Sequence, residues 1–220
     1  MATPTPHVIE IVSDVVCPWC FIGLRRLDLA LDLVREQHPD FACVKRWRPF
    51  FLSPDTPSEG EPYMPFMIRK FGSPERLAGI FDRVRTAGAL HGVDFRFDRI
   101  EMRANTLHAH RLIHWVQERA DASALVERLF AGQFQRGENV GDKNVLAGIA
   151  AECGYDRDEA AAYLGSEDGT SEVLKMESES REWGVSAVPT FIVDRKTGVQ
   201  GAEDPHILAR TIKQALQVRN

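Results

Sequence analysis

Apolar residues gather in short runs near both ends of the chain and recur at helical spacing between them. His7 to Ser13 is short and rich in Val and Ile, and reads as a buried strand. Phe21, Leu24, Leu27, Leu31 and Val34 then recur every three or four positions, with Arg25, Arg26, Asp28, Asp32 and Arg35 between them. That pattern predicts an amphipathic helix. It should stop near His38-Pro39, because proline disfavours helix in the residue before it. Phe41 to Leu52 predicts a second strand, with Pro49 marking an irregular or edge end.

Ser53 to Pro65 breaks the pattern, with prolines at 54, 57, 62 and 65 and a glycine at 60, and reads as a junction. The chain beyond it is helical in pattern. Ser73-Pro74 has the order of a helix start, followed by Leu77, Ile80, Phe81 and Val84. A further helix is predicted from Asn105 or Thr106 to about Glu118, and others from Asp121, Asp142 and Asp156, the last with Glu159 placed as in a capping box. Val93, Phe95 and Phe97 alternate with charges and predict an extended piece. Trp183-Gly184 reads as a helix stop, Phe191 to Val193 as a short buried strand and Val199 to Ala202 as its partner after the turn at Thr197-Gly198. Ile207, Leu208, Ile212 and Leu216 predict a closing helix over Pro205 to Val218.

Composition narrows the class. The chain has 220 residues, 44% hydrophobic and 27% charged, enough for a substantial core without disulfide bracing. Its net charge of -5 is spread among interleaved acids and bases, with no basic block to neutralise a phosphate backbone, so nucleic acid is not an expected partner. No segment approaches the roughly 20 apolar residues that span a bilayer, and Met1 to Val12 does not fit a secretory signal. No membrane partner and a cytoplasmic location are the expectations.

In a reducing compartment a close cysteine pair points to catalysis or metal binding. Cys17 and Cys20, in Cys17-Pro18-Trp19-Cys20, are the close pair; Cys43 and Cys153 read as small buried hydrophobes. The thiolate is the nucleophile, and a helix start at Pro18 would set the Cys17 sulfur over unpaired backbone N–H groups at the positive end of the dipole. At a thiol pKa of about 8.5 roughly 3% is ionised at pH 7, whereas at about 6 the fraction exceeds roughly 90%. The spacing places Cys20 one turn inside, able to reach back to Cys17 and resolve a mixed disulfide. A zinc site would need two further ligands, and the sequence offers no second C-x-x-C, so no metal is expected.

Ser13-Asp14-Val15-Val16-Cys17-Pro18-Trp19-Cys20-Phe21-Ile22-Gly23, Asn105 to Leu112, Gly141 to Leu146 and Gly184-Val185-Ser186-Ala187-Val188-Pro189-Thr190-Phe191 together resemble the DsbA-like thioredoxin family, in particular its FrnE-like cytoplasmic branch. The chain departs from that branch at Glu203, where glutamine is usual. The resemblance implies an α/β thioredoxin fold with a large all-helical insertion domain: residues 1–54 and 183–220 forming a discontinuous thioredoxin-like domain, and 55–182 the insertion. It implies a cis-proline at Pro189 facing the dithiol and leaving backbone free to pair with an extended substrate.

The activity implied is thiol–disulfide exchange with a disulfide-containing protein or a low-molecular-weight thiol. Cys17 and Cys20 would be catalytic, and Pro18, Trp19, Val188, Pro189 and His110 would contact substrate. No cofactor is expected beyond the redox-active disulfide, with glutathione a candidate electron donor, and the protein would be a monomer or homodimer. Two alternatives stand beside it. Related glutathione-dependent enzymes, 2-hydroxychromene-2-carboxylate isomerases and kappa-class transferases, share the architecture but generally carry serine where Cys17 stands. The other is a redox-silent binding or chaperone module. Glu10 is a candidate for passing protons to Cys20, with its facing open. His108, His110 and His114 read as surface or core residues apart from the cleft role given to His110, and Met64, Phe66 and Met67 read as core packing or the lining of an apolar cleft, with packing favoured.

Overall fold

The computed structural model describes residues 6–217. The two ends of the chain build a four-stranded sheet in the order β2-β1-β5-β6. Strand β1 (His7–Ser13) runs parallel to β2 (Cys43–Pro49) and antiparallel to β5 (Thr190–Val193), which pairs antiparallel with β6 (Thr197–Gln200). A parallel pair needs a long crossover, and helix α1 (Pro18–Gln37) supplies it. The second strand is shorter than the 41–52 expected; it is an edge strand ending at Pro49, where a missing N–H costs the ladder little.

Alternation along β1 sends Ile9 and Ile11 into the main core with Phe21, Leu24, Leu27 and Leu31 of α1, while Val12 packs on the other side with Phe50 and Val185. Each buried Leu or Ile contributes about 1.5–3 kcal/mol, so this stripe holds the N-terminus of α1 firmly over the end of β1. Helix α9 (Pro205–Gln217) lies beside α1.

Between the two ends come α2 (Tyr63–Phe71), α3 (Pro74–Ala89), α4 (Leu107–Gln117), α5 (Ser123–Ala131), α6 (Lys143–Glu152), α7 (Arg157–Gly165) and α8 (Thr170–Glu182). Ser73, Asp142 and Asp156 cap their helices by accepting from first-turn amides. The segment is not all helical: β3 (Glu61–Pro62) pairs antiparallel with β4 (Met102–Arg103). Helix α2 starts inside the proline-rich stretch, which accommodates Pro65 because first-turn N–H groups are unpaired anyway. Residues 93–97 do not form a strand. Their alternation reflects burial of Val93, Phe95 and Phe97, with the Arg96 amide donating to the Phe134 carbonyl at 2.7 Å and no ladder beside them.

One hydrophobic cluster runs through both parts of the chain. Phe21 of α1 stacks on Phe130 of α5 at 5.2 Å and meets Phe95 edge-on at 6.1 Å. The helical segment is therefore packed against the helix that carries the cysteines.

Candidate active site

Cys17 is the N-cap residue of α1, with extended backbone (φ -95°, ψ 110°), and Pro18 opens the helix where its missing N–H is not needed. The Cys17 amide donates to the Asp14 carbonyl at 2.9 Å, and the Cys17 carbonyl accepts from the Cys20 amide at 3.0 Å. These bonds fix the turn that sets the two cysteines on one face. Both thiols are free and both side chains are buried. Cys17 lines a cleft and Cys20 does not. Burial first, then the neighbouring Cys17 sulfur, pushes the Cys20 thiol well above its ordinary range, with the Asp14 amide acting in the opposite sense.

Across from the dithiol, the Val188–Pro189 peptide is cis and the Cys17 thiol points to the Val188 carbonyl at 3.8 Å. The Pro189 ring lies over Gly23, on the second turn of α1: a Cβ at position 23 would fall 2.8 Å from Pro189 Cγ. Only glycine lets helix and loop approach this closely.

The cleft holds about 290 Å³. Cys17, Pro18, Trp19 and Val188 form one wall; Phe66, Met67, Phe71 and Ile80 from α2 and α3 form the other. Trp19 is exposed and lines the cleft. Met64 is exposed, and Phe66 and Met67 line the cleft, so for these two the cleft reading holds over the favoured core-packing one. Arg103 holds their wall in place: it pairs with Glu61 and with Asp55 at 2.9 Å and lies 3.7 Å over the Phe66 ring.

His110 is not on the cleft wall. It is buried behind it on α4, with Nε2 3.5 Å from Asp14 Oδ1, long for a hydrogen bond, and the Phe51 ring edge-on at 5.4 Å. The three histidines diverge: His108 contacts Arg111 at 3.0 Å, and His114 lies beside Trp115 and Tyr163 on another face. Glu10 also lies away from the dithiol. Strand alternation puts it on the Val12 side of the sheet, held by Arg195 at 3.1 Å and Arg48 at 3.5 Å. Two residues escaped the sequence reading. Asp14 lines the cleft, is fully buried, and accepts from the Leu52 amide at 2.9 Å. Gln133 lines the cleft from the π-helical turn Gly132–Arg136, with its buried Oε1 unpartnered among the described residues. A five-residue widened turn has no apolar period to betray it.

Fold and site together define a thioredoxin-type protein carrying a Cys-x-x-Cys dithiol at a helix N-terminus. The chain belongs to the family of DSBA-like thioredoxin domains, whose pattern matches residues 8–213, and whose members are thiol–disulfide oxidoreductases. It is 25% identical over 214 residues to the uncharacterised protein YwbO of Bacillus subtilis (strain 168), covering 94% of this chain and 96% of that one. A probable DsbA oxidoreductase of Streptomyces coelicolor, SCO1869, superposes with a TM-score of 0.88 at 29% identity, covering 97% of this chain and 92% of that one. The cytosolic disulfide reductase DsbM of Pseudomonas aeruginosa, in its structure with GSH, shares the fold with a TM-score of 0.67 at 15% identity, covering 96% and 99%. Among the described residues no helix is long and apolar enough to cross a membrane.

Proposed function

We propose that this protein exchanges its Cys17–Cys20 dithiol with the disulfide of a protein or small-molecule substrate, as a cytoplasmic member of the FrnE-like branch. The observation that carries this reading is the asymmetry of the pair: Cys17 opens into the cleft from the helix N-cap, while Cys20 is sealed one turn inside. Cys17 attacks a substrate sulfur, forming a mixed disulfide and releasing a thiolate. Cys20 then attacks Cys17, closing the intramolecular disulfide and releasing the second substrate thiolate. Cys17 stands at the N-terminus of α1, whose first turn carries no acidic residue. Trp19 and Pro18 flank the nucleophile, and Val188 with Pro189 forms the edge along which an extended substrate lies.

Glutathione is the proposed low-molecular-weight electron donor. A cleft of about 290 Å³ with Lys70 on its wall suits a small anionic thiol, and a disulfide reductase of the same fold has been seen with it. Cysteine at position 17, where glutathione-dependent isomerases carry serine, favours exchange over isomerisation.

The test uses oxidised glutathione with the reduced protein. Cys20→Ser should accumulate protein carrying one glutathionyl group on Cys17 by intact-mass analysis, and Cys17→Ser should abolish turnover of disulfide substrates. Undiminished turnover by Cys17→Ser would overturn the assignment.

A further inference from the structure

Several polar side chains on the walls of the cleft beside Cys17 are already spent on the protein itself. The Asp14 carboxylate accepts from the Leu52 amide at 2.9 Å, the Thr56 hydroxyl donates to the Ser53 carbonyl at 2.7 Å, and Arg103 is held by Glu61 and Asp55. Gln133 is different. Its side chain lines the same cleft at 1% exposure, and its Oε1 accepts from nothing among the described residues. A buried acceptor left empty costs stability, and side-chain polar groups this deep are nearly always paired. The turn that carries Gln133 leaves it little freedom to find a partner elsewhere. The π-helical turn Gly132–Arg136 is fastened along its length: the Glu138 amide donates to the Gly132 carbonyl at 2.9 Å, the Arg96 amide to the Phe134 carbonyl at 2.7 Å, and Arg99 Nη1 to the Gln135 carbonyl at 3.0 Å. The next side chain, Phe134, is locked edge-on between Phe95 and Phe97. Widened turns of this kind are frequent at functional sites.

We propose that Gln133 is a specificity-determining residue, whose Oε1 accepts the amide N–H of a disulfide substrate presenting its sulfur to Cys17. This rests on the exchange reading above and narrows its substrate class. The cleft then prefers disulfides that carry an amide N–H close to the sulfur, as cysteine does in a peptide and as N-acylated aminothiols do, over disulfides with no N–H there. The surroundings give that one bond its weight. Phe66, Met67, Phe71, Ile80 and Val84 on the walls offer no side-chain hydrogen bond in its place. A substrate with an ester oxygen where the N–H belongs would set two acceptors against each other away from water, and a site built around a hydrogen bond rejects the analogue that cannot make it.

The experiment uses two probes, bis(2-acetamidoethyl) disulfide and bis(2-acetoxyethyl) disulfide, which differ in carrying an amide N–H or an ester oxygen at the same position. Reduced protein carrying Cys43→Ser and Cys153→Ser is mixed with each probe over a range of concentrations, and loss of the Cys17–Cys20 dithiol is followed. In this parent the half-saturating concentration should be about tenfold lower for the amide, with the maximal rate little changed. In Gln133→Met the preference should vanish, an outcome that a merely structural role for Gln133 would not produce. Equal half-saturating concentrations in the parent, or a preference that survives in Gln133→Met, overturns the proposal. Gln133→Leu decides in its place if Gln133→Met fails to fold. A parent dithiol that neither probe oxidises would instead overturn the exchange reading itself.

Discussion

Pro189 rests directly on Gly23: the helix bearing the dithiol and the loop facing it approach so closely that a single methyl group at position 23 would overlap the proline ring at 2.8 Å and crowd Phe191 at 3.2 Å. The same approach brings the Val188 carbonyl to the Cys17 sulfur. Packing and chemistry are therefore coupled at one contact.

Gly23→Ala should push the 188–189 loop off α1. Overpacking of this kind costs about 1–3 kcal/mol, and each kcal/mol lowers the melting temperature of a chain this size by about 2–4 °C. Calorimetry should show the shift, and disulfide exchange should slow because the docking edge has moved.

Burial of Cys20 makes the reduced protein sensitive to alkali. In the unfolded chain the thiol ionises near about pH 8.5, whereas in the fold it stays protonated to higher pH. Above about pH 8.5 the folded state thus holds more protons than the unfolded state, and stability falls as pH rises. Cys43 and Cys153 are raised by burial too and add to the slope. Urea unfolding of the reduced protein between about pH 7.5 and 9.5 should show the decline, and Cys20→Ala should make it shallower.

Gln133→Met should separate binding from stability. The change removes a buried acceptor without a partner, so stability should stay level or rise by up to about 1 kcal/mol. If that acceptor receives a substrate N–H across the cleft, KM for a disulfide substrate should increase with kcat little changed. Unchanged KM would remove Gln133 from the recognition surface.

Glu10→Gln should do the opposite. Arg48 loses a buried counter-charge, which lowers stability by about 1–3 kcal/mol. Turnover of a disulfide substrate should match the parent, because the side chain lies across the sheet from Cys20.

Much of the chemistry could be read from order along the chain. A Val- and Ile-rich strand running into Cys17-Pro18-Trp19-Cys20 and an amphipathic helix after it settle that the cysteine pair opens the helix, because proline at the first helical position and cysteine at the N-cap are local requirements. Val188-Pro189-Thr190 ahead of an apolar strand is equally local. Where local composition and tertiary packing disagreed, the sequence misled. Pro65 masked the start of α2 although the first turn tolerates it, and the alternation from Val93 to Phe97 looked like a strand although it only records which side chains the core takes.

The sequence by itself thus placed most of the elements and set the cysteine pair at the start of a helix behind a strand, since each depends on residues within a turn or two of one another. Tertiary structure decided the rest. It put Asp14 beside His110, Glu10 behind the sheet and Phe66 and Met67 on a cleft wall, because facing and approach depend on how distant segments pack. A strand's period of two says that neighbouring side chains part company, but only the packed sheet says which of them meets the active site.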